Sequence, residues 1–277
     1  MLTRPARIEV GVHGWLPGLG FLSTKFYVAL LVQNKQKWQY TKERHHRVPY
    51  NWGCACPILP YFTRPQRPIE KWSHSALLSS MRRSGVSGID YLRWGSHICQ
   101  FFQGPQQLLD LLIPYFRAGL ETNECCIWVT APPITRAEAL LALQRGITNF
   151  DRYLESGQLD VFDYEEWYLG TGTFDAKRVL KNWAVKDTEA RARGFDGLRV
   201  SGNPIWLETA DDWDTFMKYE EIVNDGVSKS RMIVLCTYSL EHCSAPHVVD
   251  VIGNHRATVV STSKGWEVVH HPRFGSP

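Results

Sequence analysis

The sequence predicts a three-layer α/β domain in which a mainly parallel sheet carries helices on both faces. From about residue 97 to residue 269, strand-like runs alternate with helical segments of roughly 10 to 18 residues. The run 124–130 (ECCIWVT) is dominated by apolar residues, as expected for a strand covered on both faces. No apolar run reaches the roughly 20 residues that a membrane helix needs, so we expect a cytosolic protein.

The first strand of this domain is predicted at 97–102 (HICQFF), before Gly104. Pro105 suits the first position of the helix predicted at 105–120, whereas Pro114 is expected to kink or shorten that helix. The remaining elements are predicted in this order: helix 133–145, strand 158–165, helix 176–193, strand 197–202, helix 211–225, strand 231–239, helix 246–256, and strands 257–262 and 266–269.

Residues 1–80 differ from the rest of the chain in charge. They hold 11 Lys and Arg against three Glu and no Asp, a balance of +8, whereas the remainder has a balance of −5. Their apolar residues also show no sustained helical or strand period, so we interpret this segment as a poorly ordered basic extension. The change in charge balance before Met81 fits a second interpretation equally well. In that interpretation, Met81 is the biological start and residues 1–80 are translated upstream sequence. The domain itself is predicted at 88–270, followed by a tail at 271–277.

Seven cysteines, an odd number, favour a reducing compartment and small buried thiols over a disulfide framework. Cys125 and Cys126 are adjacent in a strand, face opposite sides and are expected to pack in the core. A weak zinc candidate in the extension lacks the usual ligand spacing. It consists of His45, His46, Cys54, Cys56 and His74. The sequence therefore predicts neither a metal ion nor a cofactor.

Motifs for phosphate binding and catalysis are missing from the sequence. There is no G-x-x-x-x-G-K-[ST] loop, no G-x-S-x-G elbow and no H-E-x-x-H pair. The lone G-x-G at 170–172 is interpreted as a tight turn that Thr173 or Asp175 caps. We therefore expect a protein that is not an enzyme.

Two charged residues fall within apolar patterns. Glu220 interrupts the apolar stripe of the helix at 211–225, and Arg199 lies between Leu198 and Val200 in a strand. We predict that the two pair beneath a ligand pocket, and a purely structural ion pair is the alternative. His97, at the head of the first strand, is a ligand candidate or a core histidine.

Ligand crevices of parallel sheets lie beyond the carboxyl ends of the strands, and here the loops at those ends are aromatic. They are expected to line a pocket for a small apolar molecule, although each ring alone could simply seal a loop over the core. These aromatic residues are Trp167, Tyr168, Trp206 and Tyr238.

An ordered set of short blocks resembles the MEDS family, the sensory domain named for methanogens, methylotrophs and a dichloromethane-responsive regulator. The resemblance covers about residues 88–270. The blocks are GSHICQFF, YFRAGLETNECCIWVT, GQLDVFDYEEWYLGTGTFD, GFDGLRVSGNPIW, YEEIVN and VLCTY. The candidate residues inside them are His97, Trp128, Arg199, Trp206, Glu220 and Tyr238.

The resemblance implies a RecA-like fold without a phosphate-binding loop and a role in sensing simple hydrocarbon derivatives. Family members are usually fused to a histidine kinase or a DNA-binding domain. Neither is evident in this sequence, so a separate signalling partner is expected, and a homo-oligomer is possible. Two alternatives stay open: a degenerate RecA-like nucleotide-binding protein, and a nucleic-acid binder that uses the basic extension.

Overall fold

A computed structural model describes residues 79–170, 172–207, 209–263 and 265–274. The predicted basic extension, apart from its last two residues, lies outside the described residues, as does the weak zinc candidate within it. No helix in the described ranges is long and apolar enough to cross a membrane.

The centre of the domain is a seven-stranded sheet with the order β5-β4-β6-β7-β3-β8-β9. All neighbours pair in parallel except β8 and β9, which form an antiparallel edge. Its strands are β3 (Ser96–Phe102), β4 (Cys125–Thr130), β5 (Leu159–Asp163), β6 (Leu198–Gly202), β7 (Met232–Ser239), β8 (Ala257–Thr262) and β9 (Gly265–His270). A separate two-stranded hairpin, β1 (Met81–Arg83) with β2 (Tyr91–Arg93), precedes the sheet.

Helices cover both faces of the sheet, which confirms the predicted three-layer α/β architecture. One face packs against α1 (Pro105–Glu121), α2 (Arg136–Gly146) and α3 (Phe150–Glu155). The other face packs against α4 (Ala176–Ala192), α5 (Ala210–Val227) and α6 (Ala245–Asn254). We call these the α1 face and the α5 face.

Side chains alternate between the two faces along each strand, so each strand contributes side chains to two hydrophobic cores. Cys125 packs in the core of the α5 face and Cys126 in that of the α1 face, which confirms their predicted separation. Asp175 caps α4 by accepting hydrogen bonds from the amides of Lys177 and Arg178, one of the two predicted caps.

Some local details differ from the sequence predictions. Helix α1 is not shortened, because it continues through Pro114 to Glu121. Pro114 leaves the carbonyl of Asp110 without an intrahelical partner, but Asp110 is exposed and water can bond to that carbonyl. The hairpin and the short helix α3 were not predicted, and a π-helical turn at Glu165–Leu169 follows β5 where the sequence suggested further strand.

Candidate functional site

A cavity of about 330 Å³ lies on the α5 face, between helices α4 and α5 and strands β6 and β7. Its lining is mostly apolar, with contributions from Trp183 of α4, Val223 of α5 and Met232 of β7. Tyr168 of the π-helical turn also lines it. Ile222 stands at the solvent side with 53% of its surface exposed, so the cavity is bounded by helix surfaces that reach the solvent.

The polar part of the cavity wall includes Glu220 of α5 and Cys236 of β7, together with Asp187 of α4 and Ser201 of β6. Behind Glu220 and Cys236 lie His97 of β3 and His255, which follows α6. The ring atom Nε2 of His97 is 3.1 Å from Glu220 Oε2 and 3.3 Å from Cys236 Sγ. Nε2 of His255 is 3.3 Å from the same Oε2 atom, and Cys236 Sγ is 3.7 Å from it. We call His97, Glu220, Cys236 and His255 the His–Glu–Cys cluster.

Strand pairing explains why residues so far apart in sequence meet here. β3 and β7 pair in parallel with His97 opposite Val234 and Cys99 opposite Cys236. Because every second side chain points to the same face, these four side chains all lie on the α5 face. His97 is therefore next to Cys236. Glu220 is carried in by the buried side of α5, whose neighbours Phe216 and Val223 pack into the same core.

Electrostatics favour an ionised Glu220 beside a neutral His97 and a protonated Cys236. Burial alone would raise the pKa of Glu220, but hydrogen bonds and charge interactions with His255 and His97 hold it at about 2. Burial, and next the neighbouring His255, lowers the pKa of His97. Burial, reinforced by the Glu220 carboxylate, raises the pKa of the Cys236 thiol well above its ordinary value. The cavity wall thus presents a carboxylate beside a thiol.

The predicted pair between Arg199 and Glu220 does not form. Arg199 lies on the α1 face, where its Nε atom is 2.6 Å from Oε2 of Glu124. Leu198 and Val200, which flank it, belong to the core of the α5 face, so alternation along β6 sends Arg199 to the opposite side from Glu220. The sequence identified both buried charges correctly but not their partners.

All five N–H groups of the Arg199 guanidinium are used within the protein. Its Nε and Nη2 atoms donate to the two carboxylate oxygens of Glu124 at 2.6 and 3.1 Å. The remaining donors bond the carbonyls of Ser84 at 3.2 Å, Tyr115 at 2.9 Å and Arg83 at 2.8 Å. Arg199 therefore joins β6, α1 and β1, and it has no donor left for a ligand.

The predicted aromatic residues occupy three different places. Tyr168 lines the cavity, and Trp206 packs on it with ring centroids 5.4 Å apart. Trp167 packs against Trp183, a cavity residue, with ring centroids 4.3 Å apart and the rings tilted by 48°. Tyr238 lies in the same core of the α5 face, 5.9 Å from the ring of His255, and its buried hydroxyl has no hydrogen-bond partner.

Trp128 is separated from this group by the sheet itself. It belongs to the core of the α1 face, where its ring stacks on Phe116 at 5.7 Å. The structure therefore brings together His97, Glu220 and Tyr168 around the cavity, with Trp167, Trp206 and Tyr238 packed nearby on the same face. It places Trp128 and Arg199 elsewhere. The sequence analysis missed Cys236 and His255, since no local spacing relates residues from β3, α5, β7 and the end of α6.

The loop between β3 and α1 stands where related folds bind phosphate, and it is poorly suited to that task. Pro105 has no backbone N–H, and the amide of Gln103 already donates to Oε1 of Gln107 at 2.9 Å. The loop carries no lysine. Helix α1 therefore presents few free amides and no cation at its N-terminus.

The sequence model of the family described as "MEDS: MEthanogen/methylotroph, DcmR Sensory domain" matches residues 96–256, more than half of the chain. No curated protein matches the sequence.

Solved structures show similarity of fold at low sequence identity. A KaiC-like protein from Pyrococcus horikoshii OT3 superposes with a TM-score of 0.50 at 12% identity, covering 69% of this chain and 87% of that one. The flagellar accessory protein FlaH from Methanocaldococcus jannaschii gives a TM-score of 0.41 at 14% identity, covering 66% of this chain and 81% of that one. The first likeness supports the predicted RecA-like fold.

Proposed function

Because the chain belongs to the MEDS family of sensory domains, we propose that it is a non-enzymatic cytosolic sensor of a small organic molecule. The signal would pass to a separate partner, such as a histidine kinase or a transcription regulator. The observation that carries this proposal is the cavity of about 330 Å³ on the α5 face, lined mainly by apolar side chains around the carboxylates of Glu220 and Asp187 and the thiol of Cys236.

The lining specifies the chemistry of the ligand. An apolar body would pack against Trp183, Val223 and Met232, and a hydroxyl or another hydrogen-bond donor would meet the carboxylate of Glu220. A ligand without a donor would leave that carboxylate with its histidine partners only. Hydrocarbon derivatives with one polar group therefore fit this wall better than unsubstituted hydrocarbons do.

The size of the ligand limits its affinity. At about −1.5 kcal/mol per heavy atom, a molecule of about three heavy atoms gains at most about −4.5 kcal/mol, which corresponds to a millimolar dissociation constant. Such a ligand can shift the protein between two conformations only by the difference in its affinities for them. Ligand screens on the full chain should therefore begin at millimolar concentrations.

The first test fills the cavity. Val223→Phe places a ring into the space beside Glu220, so it should abolish the ligand-induced rise in melting temperature. It should change the unfolding free energy by less than about 1 kcal/mol, because overpacking costs about 1–3 kcal/mol only where no space exists. The matched control is Val185→Phe on the solvent side of α4, where 44% of the valine is exposed. If both variants respond to the ligand as the wild type does, the cavity is not the binding site.

A nucleotide-binding protein is the competing function, and the RecA-like fold is the observation that favours it. The loop before α1 argues against it, since Pro105 and the bonded amide of Gln103 reduce the donors available to a phosphate. Calorimetric titration of the full chain with Mg-ATP separates the two functions. Micromolar binding that survives Val223→Phe would favour the nucleotide and contradict the sensor.

A further inference from the structure

The His–Glu–Cys cluster concentrates four metal-ligating side chains in one buried place. The candidate ligand atoms of His97, Glu220, Cys236 and His255 all lie within 4.8 Å of one another. Both histidines are fully buried, and Glu220 is 2% exposed. They come from β3, α5, β7 and the residue after α6, so the convergence is a product of the tertiary fold.

The tautomer of His255 can be assigned from its surroundings. Its Nδ1 atom lies 2.8 Å from the carbonyl oxygen of Val251, which can only accept a hydrogen bond, so Nδ1 carries the proton. Nε2, the other ring nitrogen, faces the cluster. That atom is buried without a hydrogen-bond partner, although Glu220 Oε2 is 3.3 Å away. A lone pair facing a carboxylate is unfavourable unless a cation or a proton lies between them.

His97 has a similar arrangement on the other side of the carboxylate. Its Nε2 atom faces both Glu220 Oε2 and Cys236 Sγ, while the side chain of Asn224, one helical turn beyond Glu220, interacts with the ring. A metal-bound histidine typically donates its other ring N–H to a nearby oxygen. The Val251 carbonyl fills that supporting role for His255. Oδ1 of Asn224 and Nδ1 of His97 have no hydrogen-bond partner within the described residues, so they can bond to each other when a metal ion fixes the His97 ring.

The charge of the cluster also calls for a cation. Among the described residues, the ion-pair partners of Glu220 are His97 and His255 and no lysine or arginine. Four of the six distances between the ligand atoms lie close to those of a tetrahedral site, and all six are within 4.8 Å. With bonds of about 2.0 Å to nitrogen or oxygen and 2.3 Å to sulfur, ligand atoms stand roughly 3.3 to 3.7 Å apart. The four separations around Glu220 Oε2 and Cys236 Sγ are 3.1, 3.3, 3.3 and 3.7 Å.

We propose that His97, Glu220, Cys236 and His255 bind one divalent transition-metal ion, with zinc as the ion that best suits two imidazoles, a carboxylate and a thiolate. The Cys236 thiol loses its proton to solvent when its sulfur binds the ion. Four protein ligands fill a tetrahedral site, so the ion is structural: it joins β3, α5, β7 and the end of α6 behind the cavity. Glu220 and Cys236 also line the cavity, so a bound ion would neutralise part of the polar wall that an organic ligand meets.

The test measures metal directly on the full chain. Because Cys54 and Cys56 could bind metal on their own, the background variant is Cys54→Ser/Cys56→Ser. This protein is incubated with Zn²⁺ and desalted, and its metal content is determined by mass spectrometry. We expect about one zinc per chain, the single ion that the four-ligand cluster accommodates. A content near zero in the correctly folded background protein would overturn the proposal.

Cobalt substitution identifies the ligands. The Co²⁺-loaded background protein should show the visible bands of a tetrahedral site and a thiolate-to-cobalt band in the near ultraviolet. Cys236→Ser should remove the thiolate band, and the matched control Cys125→Ser, a buried cysteine outside the cluster, should keep it. A thiolate band that persists in Cys236→Ser would contradict the assignment.

Two milder substitutions test the proposal even if the replacement of a metal-ligating residue prevents folding. Asn224→Ala leaves all four ligands in place and should weaken zinc binding about 10- to 100-fold, the usual effect of losing a supporting hydrogen bond. Glu220→Gln keeps the shape of the side chain but removes the charge, and it should weaken zinc binding further than Asn224→Ala does. Unchanged zinc affinity in both variants would overturn the proposal.

Discussion

The two faces of the sheet each bury an ionised group, but they satisfy it differently. On the α1 face, Arg199 donates two hydrogen bonds to the Glu124 carboxylate, and its other three guanidinium N–H groups donate to backbone carbonyls. On the α5 face, the Glu220 carboxylate contacts two histidines and a thiol but, within the described residues, pairs with no lysine or arginine. A saturated charge cluster is a structural element, whereas an unsaturated one beside a cavity is suited to binding.

The largest effect on stability is expected on the saturated side. Glu124→Leu leaves the guanidinium of Arg199 buried without a counter-ion and should lower the unfolding free energy by about 3–5 kcal/mol. The double variant Glu124→Leu/Arg199→Met should cost less than Glu124→Leu alone, since both charges are then absent. Urea denaturation measures all three, and additive energies would show that the two residues are not coupled.

A smaller effect on the unfolding free energy is expected on the α5 face, where it depends on a metal ion bound to the His–Glu–Cys cluster. If zinc is held at about 100 times its dissociation constant, a chelator should lower the unfolding free energy by about 2.7 kcal/mol. Glu124→Leu should show the same chelator effect as the wild type, because it lies on the other face, while Glu220→Gln should show a much reduced one. Equal chelator effects in all three proteins would mean that the stabilising ion binds elsewhere.

The smallest effect is expected where the saturated cluster reaches the solvent. Arg82 bonds Glu124 at 2.8 Å and Asp196 at 3.0 Å, but its side chain is 15% exposed and that of Asp196 is 43% exposed. Arg82→Met should therefore cost about 1 kcal/mol, well below the loss in Glu124→Leu. The control is Lys229→Met, which removes a surface pair with Asp225 and should change stability by less than about 0.5 kcal/mol. A loss in Arg82→Met as large as in Glu124→Leu would place the main energy at the rim of the cluster.

Local patterns in the sequence were sufficient to predict the layers of the fold. The apolar run at 231–239 became β7 (Met232–Ser239), and the segment predicted as helix 211–225 lies within α5. These elements are predictable because the period of apolar residues is a property of neighbouring positions in the chain. The same information identified Arg199 and Glu220 as buried charges.

Partners of those charges could not be predicted in the same way. Whether a helix covers one face of a sheet or the other is decided by the crossover connections, which leave no local signal. Alternation along β6 predicts that the side chains of Arg199 and Val200 point to different faces of the sheet. Only the fold shows that α5 covers the face to which Val200 points. The His–Glu–Cys cluster was missed for the same reason, as His97 and Cys236 are 139 positions apart.

The position of β3 has a consequence for how the domain is made. This strand is the first of the large sheet along the chain, yet it lies between β7 and β8, and β7 begins at Met232, about 130 residues after β3 ends. At a synthesis rate of 5–20 residues per second, an apolar strand with both edges unpaired waits about 7 to 26 s on the ribosome before its neighbours exist. We therefore expect the nascent chain to be vulnerable to aggregation in that interval and to depend on chaperones until β7 and β8 close the centre of the sheet.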